Sequence, residues 1–313
     1  MSHIAFIGLG RMGAPMAANL VRAGRELRGS DLDPRLCAEA ETLGVRGSSS
    51  ARAAAQGAAA IITMLPAGEA VLTVWKELLD CAERDALFID CSTVDIASAR
   101  QAHRLAAGAG HACVDAPVSG GVAGAKAGTL TFMCGGEATA FEEAQPLLAD
   151  MGEKIIHCGE GGLGQAAKIC NNMMLGATMV ATCEAFALAE RLGLSDRMLF
   201  DVASVSSGQS WSLTHYCPAP GLLPTAPASR DYLPGFMTAL MLKDMRLAEA
   251  AAAEVGLPTP LAALAAQIYA RYADRGEGDR DFSGVLRMIR EGWSSEAPQA
   301  ERRIKAVSPE PQP

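Results

Sequence analysis

The first half of the chain alternates short apolar runs with longer segments whose apolar residues recur at helical spacing. This alternation is typical of β-α-β units, in which helices cover both faces of a mostly parallel sheet. The pattern therefore predicts an α/β domain of the Rossmann type with a doubly wound sheet. Strands are predicted over residues 4–8, 26–31, 60–65, 86–90, 111–115, 129–134 and 154–157, with helices over residues 15–23, 35–43, 70–79 and 96–107.

The alternation stops near Gly162, within the glycine-rich stretch 159–164, and every later pattern is helical. We therefore predict an all-α C-terminal domain over residues 163–293, joined to the sheet domain (residues 1–162) by a long interdomain helix. Prolines and mixed charges follow, and residues 294–313 are predicted to form a disordered tail. The helical patterns cover residues 165–192, 197–205, 238–255, 260–272 and 282–291.

A lysine stands at the start of the long helical pattern of the second half. From Ile169 to Cys183 the chain has no charged residue, so Lys168 precedes a largely apolar helix. An unpaired buried ammonium is costly and tends to lose its proton. Asn172 lies four residues after Lys168, on the same face of a helix. Lys168 is therefore a candidate for chemistry, and the alternative is a helix-end lysine whose ammonium extends to water.

The choice of basic residues sets Lys168 apart from the rest of the chain. Only six of the 27 basic residues are lysines, and the others are arginines. Arginine stays protonated in proteins, whereas lysine can release and recover a proton. A lysine in an apolar part of an arginine-rich chain therefore favours proton transfer as its role.

Composition narrows the class and the location of the protein. The net charge of −8 argues against a surface for nucleic acid or an anionic membrane. Nine cysteines without a CxxC motif favour free thiols in a reducing cytoplasm, and no signal peptide is expected. Residues 169–183 are too short for a confident membrane span, which favours a core helix. His157 and Cys158 are adjacent and lack metal-ligand spacing, so no metal site is predicted.

A glycine-rich motif of the form GxGxxG follows the first predicted strand and opens a helical segment. In this context the glycines permit a tight turn, close approach of a pyrophosphate and close helix–strand packing. Asp31 ends the second predicted strand, where a carboxylate binds the adenosine ribose and repels a 2′-phosphate, so NAD is predicted. Arg28 and Arg35 leave NADP use open, and Asp33 is expected to cap the next helix. The motif consists of Gly8, Leu9, Gly10, Arg11, Met12 and Gly13.

Further candidates lie at later strand ends and on one helix. Ligands of an open parallel sheet lie at the carboxyl ends of strands, which favours Leu65, Pro66 and Thr93; a strand-ending turn and a helix cap are the alternatives. Lys243 and Asp244 open the polar face of the helix predicted over 238–255, where an exposed ion pair is the alternative. A Ser-Gly-Gly turn offers N–H groups and a hydroxyl to a carboxylate, with a flexible loop as the alternative. The turn consists of Ser119, Gly120 and Gly121.

The chain resembles the β-hydroxyacid dehydrogenase family in four blocks that occur in the same order: FIGLGRMGAPMAANL, DAPVSGGVAGAKAGTLTFM, GLGQAAKICNNMML and KDMRLA. The resemblance extends from Ile4 to about Glu291, and the segments ITMLP and SSGQSW are similar to the 3-hydroxyisobutyrate dehydrogenase branch. It implies a helical domain that carries substrate and subunit contacts. The expected partners are therefore a small 3-hydroxy acid and further copies of the chain, in a homodimer or homotetramer.

The resemblance also implies a role for each matching position. Lys168 would be the catalytic lysine, with NAD as the cofactor. Substrate binding is implied for Ser119, Gly120, Gly121, Asn172 and Asp244. Cofactor binding is implied for Gly8, Leu9, Gly10, Arg11, Met12, Gly13, Asp31, Leu65, Pro66, Thr93 and Lys243.

The reaction that the resemblance implies is oxidation of (S)-3-hydroxyisobutyrate to methylmalonate semialdehyde with NAD+. Lys168 would act as the general base in this direction and as the general acid in reverse. Within the family, a tartronate or succinic semialdehyde reductase is the alternative, and an imine reductase would usually replace the lysine. From another class, the alternative is a non-catalytic nicotinamide-binding interaction module, but such relatives lose the lysine that this chain keeps.

Overall fold

The computed structural model describes residues 3–292. Within them, a sheet covered by helices is followed by a wholly helical region, which confirms the predicted fold class. The predicted disordered tail, residues 294–313, lies outside the described residues.

Side chains on both faces of the central strands are buried. In β1, Ile4 and Phe6 pack into one hydrophobic cluster, whereas Ala5 and Ile7 pack into another. Since successive side chains of a strand point to opposite faces, a strand that is apolar throughout is buried on both sides. The strands are β1 (His3–Ile7), β2 (Leu27–Ser30), β3 (Arg46–Gly47), β4 (Ala58–Thr63), β5 (Leu87–Asp90), β6 (Cys113–Asp115), β7 (Val118–Ser119), β8 (Leu130–Gly135) and β9 (Gly152–Gly159).

The sheet is parallel through the order β3-β2-β1-β4-β5-β6. The strand order reverses between β1 and β4, and in such sheets a crevice opens there at the carboxyl ends of the strands. β8 then pairs antiparallel with β6 and β7, and β9 runs parallel to β8. The sheet is therefore mostly parallel, as predicted, with antiparallel pairing confined to its last part.

The helices of the sheet domain alternate with its strands. The sequence patterns did not predict α3 and α6, which are short and rich in alanine or glycine and so lack a clear apolar period. The stretch 138–149 also forms a helix that was not predicted. The helices are α1 (Gly13–Arg22), α2 (Pro34–Glu41), α3 (Ala51–Ala55), α4 (Gly68–Leu79), α5 (Ile96–Ala109), α6 (Gly121–Ala127) and α7 (Ala138–Ala149).

The second region is helical, with its own core around Phe186, Met241, Tyr269 and Phe282. By length and composition, α8 is the one helix within residues 3–292 that would be able to cross a membrane. In this structure it packs against β8 and against α11, α12 and α13. The helices are α8 (Leu163–Arg191), α9 (Asp196–Ala203), α10 (Trp211–Thr214), α11 (Thr238–Glu254), α12 (Pro260–Tyr272) and α13 (Val285–Glu291).

The start of α8 is attached to two strand ends. Asp115, the last residue of β6, accepts hydrogen bonds from the backbone N–H of Gly162 at 2.7 Å and of Gln165 at 2.9 Å. The first N–H groups of a helix have no partner within it, and a carboxylate there also interacts favourably with the helix dipole. The Gln165 amide accepts from Val94 N at 3.1 Å and donates to the Ser92 carbonyl at 2.7 Å. These contacts fix α8 beside the loop that follows β5.

We expect Asp115→Ala to lower the free energy of unfolding by about 3 kcal/mol, because two buried N–H groups lose their acceptor. Asp95→Ala is the matched control, since the partly exposed Asp95 carboxylate caps α5 at Ser98 N. The control should cost about 1 kcal/mol. Urea unfolding followed by circular dichroism measures both values. Equal losses would show that Asp115 is an ordinary helix cap.

Candidate functional site

The loop between β1 and α1 uses its glycines in two different ways. Gly8 has a φ of +96°, and a Cβ there would overlap the carbonyl oxygen of Met64. A Cβ at Gly13 would overlap the carbonyl oxygen of Gly8. At Gly10, in contrast, a Cβ would meet no atom within 4 Å. Gly8 and Gly13 are thus required by packing, whereas Gly10 borders open space at the start of α1, which fits a bound pyrophosphate.

Asp31 follows β2 and closes the glycine loop. Its Oδ2 accepts from Leu9 N at 2.8 Å, and its Oδ1 accepts from Asp33 N at 2.9 Å. These bonds fix the carboxylate at the strand end where an adenosine ribose would lie. Asp33 accepts from Arg35 N at 3.0 Å and caps α2, as predicted. Because the Arg35 guanidinium also binds the Asp33 carboxylate, this cation is held by an acid in the structure.

A buried carboxylate organises the ends of β4 and β5. Asp90 Oδ1 accepts from Thr63 Oγ1 at 2.7 Å and from Ser92 Oγ at 2.6 Å. Ser92 Oγ in turn accepts from Leu65 N at 2.7 Å. Burial raises the pKa of Asp90 to about 6, although these hydrogen bonds act against the rise. The network fixes the loops that carry Leu65 and Thr93, and the sequence analysis did not identify Asp90 because a strand-ending acid has no distinctive spacing.

Lys243 connects the helical region to these same loops. Its Nζ donates to the carbonyl oxygens of Pro66 at 3.0 Å and Thr93 at 2.8 Å. The alternative role of Thr93 as a helix cap is wrong, because Asp95 caps α5. Burial lowers the pKa of Lys243, and the Asp244 carboxylate is the larger of the influences that act against this. Three of the predicted cofactor-binding residues, Pro66, Thr93 and Lys243, therefore meet at one place.

Lys168 lies in the second turn of α8 and is 7% exposed. The alternative of an ammonium that extends to water is therefore wrong. Within residues 3–292, no hydrogen bond or ion pair reaches its Nζ. Burial lowers the pKa of Lys168; the Asp244 carboxylate acts against this and the Lys243 ammonium adds to it. The result is a buried amine near one carboxylate, that of Asp244, and one ammonium, that of Lys243. This environment suits proton exchange.

Asp244 lies on α11 and is 4% exposed, so the alternative of an exposed Lys243–Asp244 ion pair is wrong. Burial raises the pKa of Asp244, while Lys168, Lys243 and a hydrogen bond from Asn172 act against the rise. The amide of Asn172 donates to Asp244 Oδ2, and its Oδ1 accepts from Asn171 Nδ2 at 2.9 Å. Lys168 and Asn172 thus face the same carboxylate, as their spacing on one helix face predicts.

The predicted Ser-Gly-Gly turn connects β7 to α6. Gly120 has a φ of +128° and Gly121 a φ of +61°, and L side chains rarely adopt such values. A Cβ at Gly121 would lie 3.4 Å from the carbonyl oxygen of Gly235, in the loop before α11. The Arg11 side chain donates to the Pro234 carbonyl at 3.3 Å in that loop. The loop 234–237 therefore contacts both the turn and the glycine loop.

A second buried carboxylate, which the sequence analysis missed, holds this loop. Asp281 is fully buried and accepts from Gly235 N at 2.9 Å and from Phe236 N at 3.0 Å. The Tyr216 hydroxyl donates to the same oxygen at 2.7 Å. No sequence signal identifies this role of Asp281, because the partners that hold the loop lie 45 to 65 residues away along the chain.

The predicted residues form two connected groups. One runs from the ends of β4 and β5 through Lys243 and Asp244 to Lys168 and Asn172. The other joins the glycine loop to the Ser-Gly-Gly turn through residues 234–237. In the part of the chain that the structure describes, no hydrogen bond joins the turn to Lys168, and no group of three His, Cys, Asp or Glu side chains has metal-binding geometry.

Both domains are similar to known proteins. Residues 3–159 match the family described as the NAD binding domain of 6-phosphogluconate dehydrogenase, and residues 162–289 match NAD-binding of NADP-dependent 3-hydroxyisobutyrate dehydrogenase. The chain is 49% identical to a probable 3-hydroxyisobutyrate dehydrogenase of Mycobacterium tuberculosis, over 93% of this chain and 98% of that protein. It is 46% identical to an NAD-dependent L-serine dehydrogenase of Pseudomonas aeruginosa, over 92% and 98% of the two chains. A solved structure of Mycobacterium tuberculosis 3-hydroxyisobutyrate dehydrogenase with L-serine has a TM-score of 0.89 and 49% identity, over 93% and 99%.

We expect Gly10→Ala to weaken NAD+ binding by about tenfold or more while leaving the free energy of unfolding within about 0.5 kcal/mol of the original value. The added methyl group would occupy the open space where a pyrophosphate fits. Gly13→Ala is the matched variant and should destabilise the fold by about 2 kcal/mol, because its methyl group meets backbone. Calorimetric NAD+ titration and urea unfolding separate the two effects. Unchanged NAD+ affinity in Gly10→Ala would contradict the assigned pyrophosphate position.

Proposed function

The chain belongs to the 3-hydroxyisobutyrate dehydrogenase family, and we propose that it oxidises (S)-3-hydroxyisobutyrate to methylmalonate semialdehyde with NAD+. The coarser activity, that of a family oxidoreductase with NAD(P)-binding domains, follows from membership of the family. The finer proposal is supported by the names of its relatives at 40% to 49% identity, and the reaction is a step of valine breakdown.

The observation that carries the proposal is the buried amine of Lys168. The charges of the Asp244 carboxylate and of the Lys243 ammonium both act on it, and Lys243 also binds the loops at the cofactor crevice. A buried lysine with a lowered pKa is a functional base at a pH where an exposed lysine is protonated. A non-catalytic interaction module would have no use for such a costly group.

In the proposed oxidation, neutral Lys168 Nζ accepts the proton of the substrate hydroxyl. The glycine loop would hold NAD+, which would supply the acceptor for the hydride of the hydroxyl-bearing carbon. The ammonium formed on Lys168 is stabilised by the Asp244 carboxylate. In reverse, protonated Lys168 donates to the carbonyl oxygen, so the same residue serves as base and acid.

The remaining polar groups would bind and orient the substrate. The Ser-Gly-Gly turn offers the Ser119 hydroxyl and backbone N–H groups at the start of α6 to the substrate carboxylate. Asn172 has two amide N–H groups, of which one binds Asp244, so the other remains for the substrate. Since Asp244 also faces Lys168, it would position the base and the amide together.

L-Serine is a second candidate substrate, favoured by two relatives. A 46% identical protein is an NAD-dependent L-serine dehydrogenase, and the 49% identical solved structure is a complex with L-serine. L-Serine and 3-hydroxyisobutyrate share a carboxylate and a primary hydroxyl, and they differ in an ammonium or a methyl group at C2. The proposed roles of Lys168 and the Ser-Gly-Gly turn are the same for both.

The rate of oxidation should rise with pH and level off above the pKa of Lys168, because only the neutral amine accepts a proton. Asp244→Asn removes the charge that favours the ammonium, so the pKa falls further and the rise in kcat/KM moves to lower pH. Asp279→Asn, at an exposed acid, is the control and should leave the profile in place. A shift to higher pH in Asp244→Asn would contradict the proposed electrostatics.

Lys168→Arg keeps the positive charge and loses the base, so kcat should fall by roughly 10³-fold, with NAD+ affinity nearly unchanged.

The substrate is tested on the unaltered protein, with (S)-3-hydroxyisobutyrate and L-serine in oxidation, and tartronate and succinic semialdehydes in reduction. We expect kcat/KM for (S)-3-hydroxyisobutyrate to exceed that for L-serine by about tenfold or more. Near-normal turnover of Lys168→Arg would rule out the catalytic role, whereas a preference for L-serine would replace the substrate alone.

A further inference from the structure

Next to the start of α8, a cysteine, a histidine and an aspartate form a hydrogen-bonded series. Cys113 begins β6, and its Sγ lies 3.1 Å from His103 Nδ1 on α5. The other ring nitrogen of His103, Nε2, lies 2.9 Å from Asp115 Oδ1. Among the described residues 3–292, Cys113 is the one cysteine with a histidine nitrogen at hydrogen-bond distance. The proposed mechanism uses neither Cys113 nor His103.

We propose that Cys113 is a modification site, at which a small hydroperoxide oxidises the thiol to a sulfenic acid. The reactive form of cysteine is the thiolate, and a histidine within hydrogen-bond distance of the sulfur can hold the proton of the thiol. Asp115 accepts from Nε2 and so directs Nδ1 toward the sulfur of Cys113, the arrangement by which an acid orients a histidine beside a nucleophile.

The surroundings hold the imidazole ring in this orientation. The backbone of Gly161 packs against it, since a Cβ there would come 2.6 Å from ring atoms of His103. Burial alone would lower the pKa of His103, but hydrogen bonds to Asp115 and Cys113 outweigh burial and raise it to about 10. The protonated ring would direct one N–H toward each partner.

Other cysteines of the chain lack this environment. Burial raises the pKa of Cys134 to about 12 and that of Cys217 to about 11, so both are thiols at neutral pH. Cys170 is exposed on α8 but has no charged partner among the described residues. Cys113 is 7% exposed to solvent, and the His103 side chain is 18% exposed. We therefore expect a molecule as small as hydrogen peroxide to reach the pair.

The oxidation needs one hydroperoxide and no other reagent. The Cys113 thiolate attacks one peroxide oxygen, forming an S–O bond and breaking the O–O bond, so sulfur loses two electrons and the peroxide gains them. The hydroxide that leaves takes the Nδ1 proton of His103, which gives water and a neutral imidazole. His103 then no longer donates as a cation to Asp115, the carboxylate that caps α8.

The test is peptide mass spectrometry on the reduced full-length protein after brief exposure to hydrogen peroxide at pH 7. The sample is denatured in the presence of dimedone, so that access does not limit trapping of the sulfenic acid. We expect Cys113 to be labelled about tenfold faster than the exposed Cys170, and His103→Gln to remove this advantage without changing Cys170. Circular dichroism of the variant checks that it folds.

Labelling of Cys113 no faster than that of Cys170 in the unaltered protein would overturn the proposal. Equal labelling of Cys113 with and without His103 in a folded variant would also overturn it. If His103→Gln does not fold, the comparison of the two cysteines in the unaltered protein decides. None of these readouts depends on the substrate of the enzyme.

Discussion

The way in which helix α8 begins determines the position of Lys168, the residue proposed to accept the proton of the substrate. Asp115 binds the first N–H groups of this helix, and Gln165 binds the loop after β5. Lys168 follows Gln165 by less than one helical turn, so the amine is fixed relative to the carboxyl ends of the strands. A buried carboxylate thus sets the geometry of a buried amine without contacting it.

The second constraint is electrostatic. Lys168 and Asp244 are buried and Lys243 is partly buried, and burial disfavours the charged form of each. One carboxylate cannot fully compensate two ammonium groups, but Lys243 also donates to two carbonyl oxygens of the sheet domain. Lys168 has no such acceptors among the described residues, and it is therefore the group whose proton is most easily given up.

Local patterns in the sequence predict the alternating sheet domain, the helical region, the glycine loop and Lys168, because each depends on neighbours within a few residues. The residues that hold the site together are different. Asp90, Asp115 and Asp281 look like ordinary acids in the sequence, and each binds at least one partner from a distant part of the chain. Thr93 contributes its backbone carbonyl rather than its hydroxyl, which no side-chain pattern reveals. Short elements such as α6 are missed because glycine and alanine carry little periodic signal.

The central claim, that burial lowers the pKa of Lys168 and so makes it a proton acceptor, is tested most directly by its own titration. The chain has only six lysines, so NMR of protein labelled with 13C at lysine Cε resolves them, and the missing signal in Lys168→Arg assigns this one. Lys76, Lys126 and Lys154 are exposed and serve as internal references. The account predicts that Lys168 titrates below all three. A Lys168 signal that titrates together with these exposed lysines would contradict it.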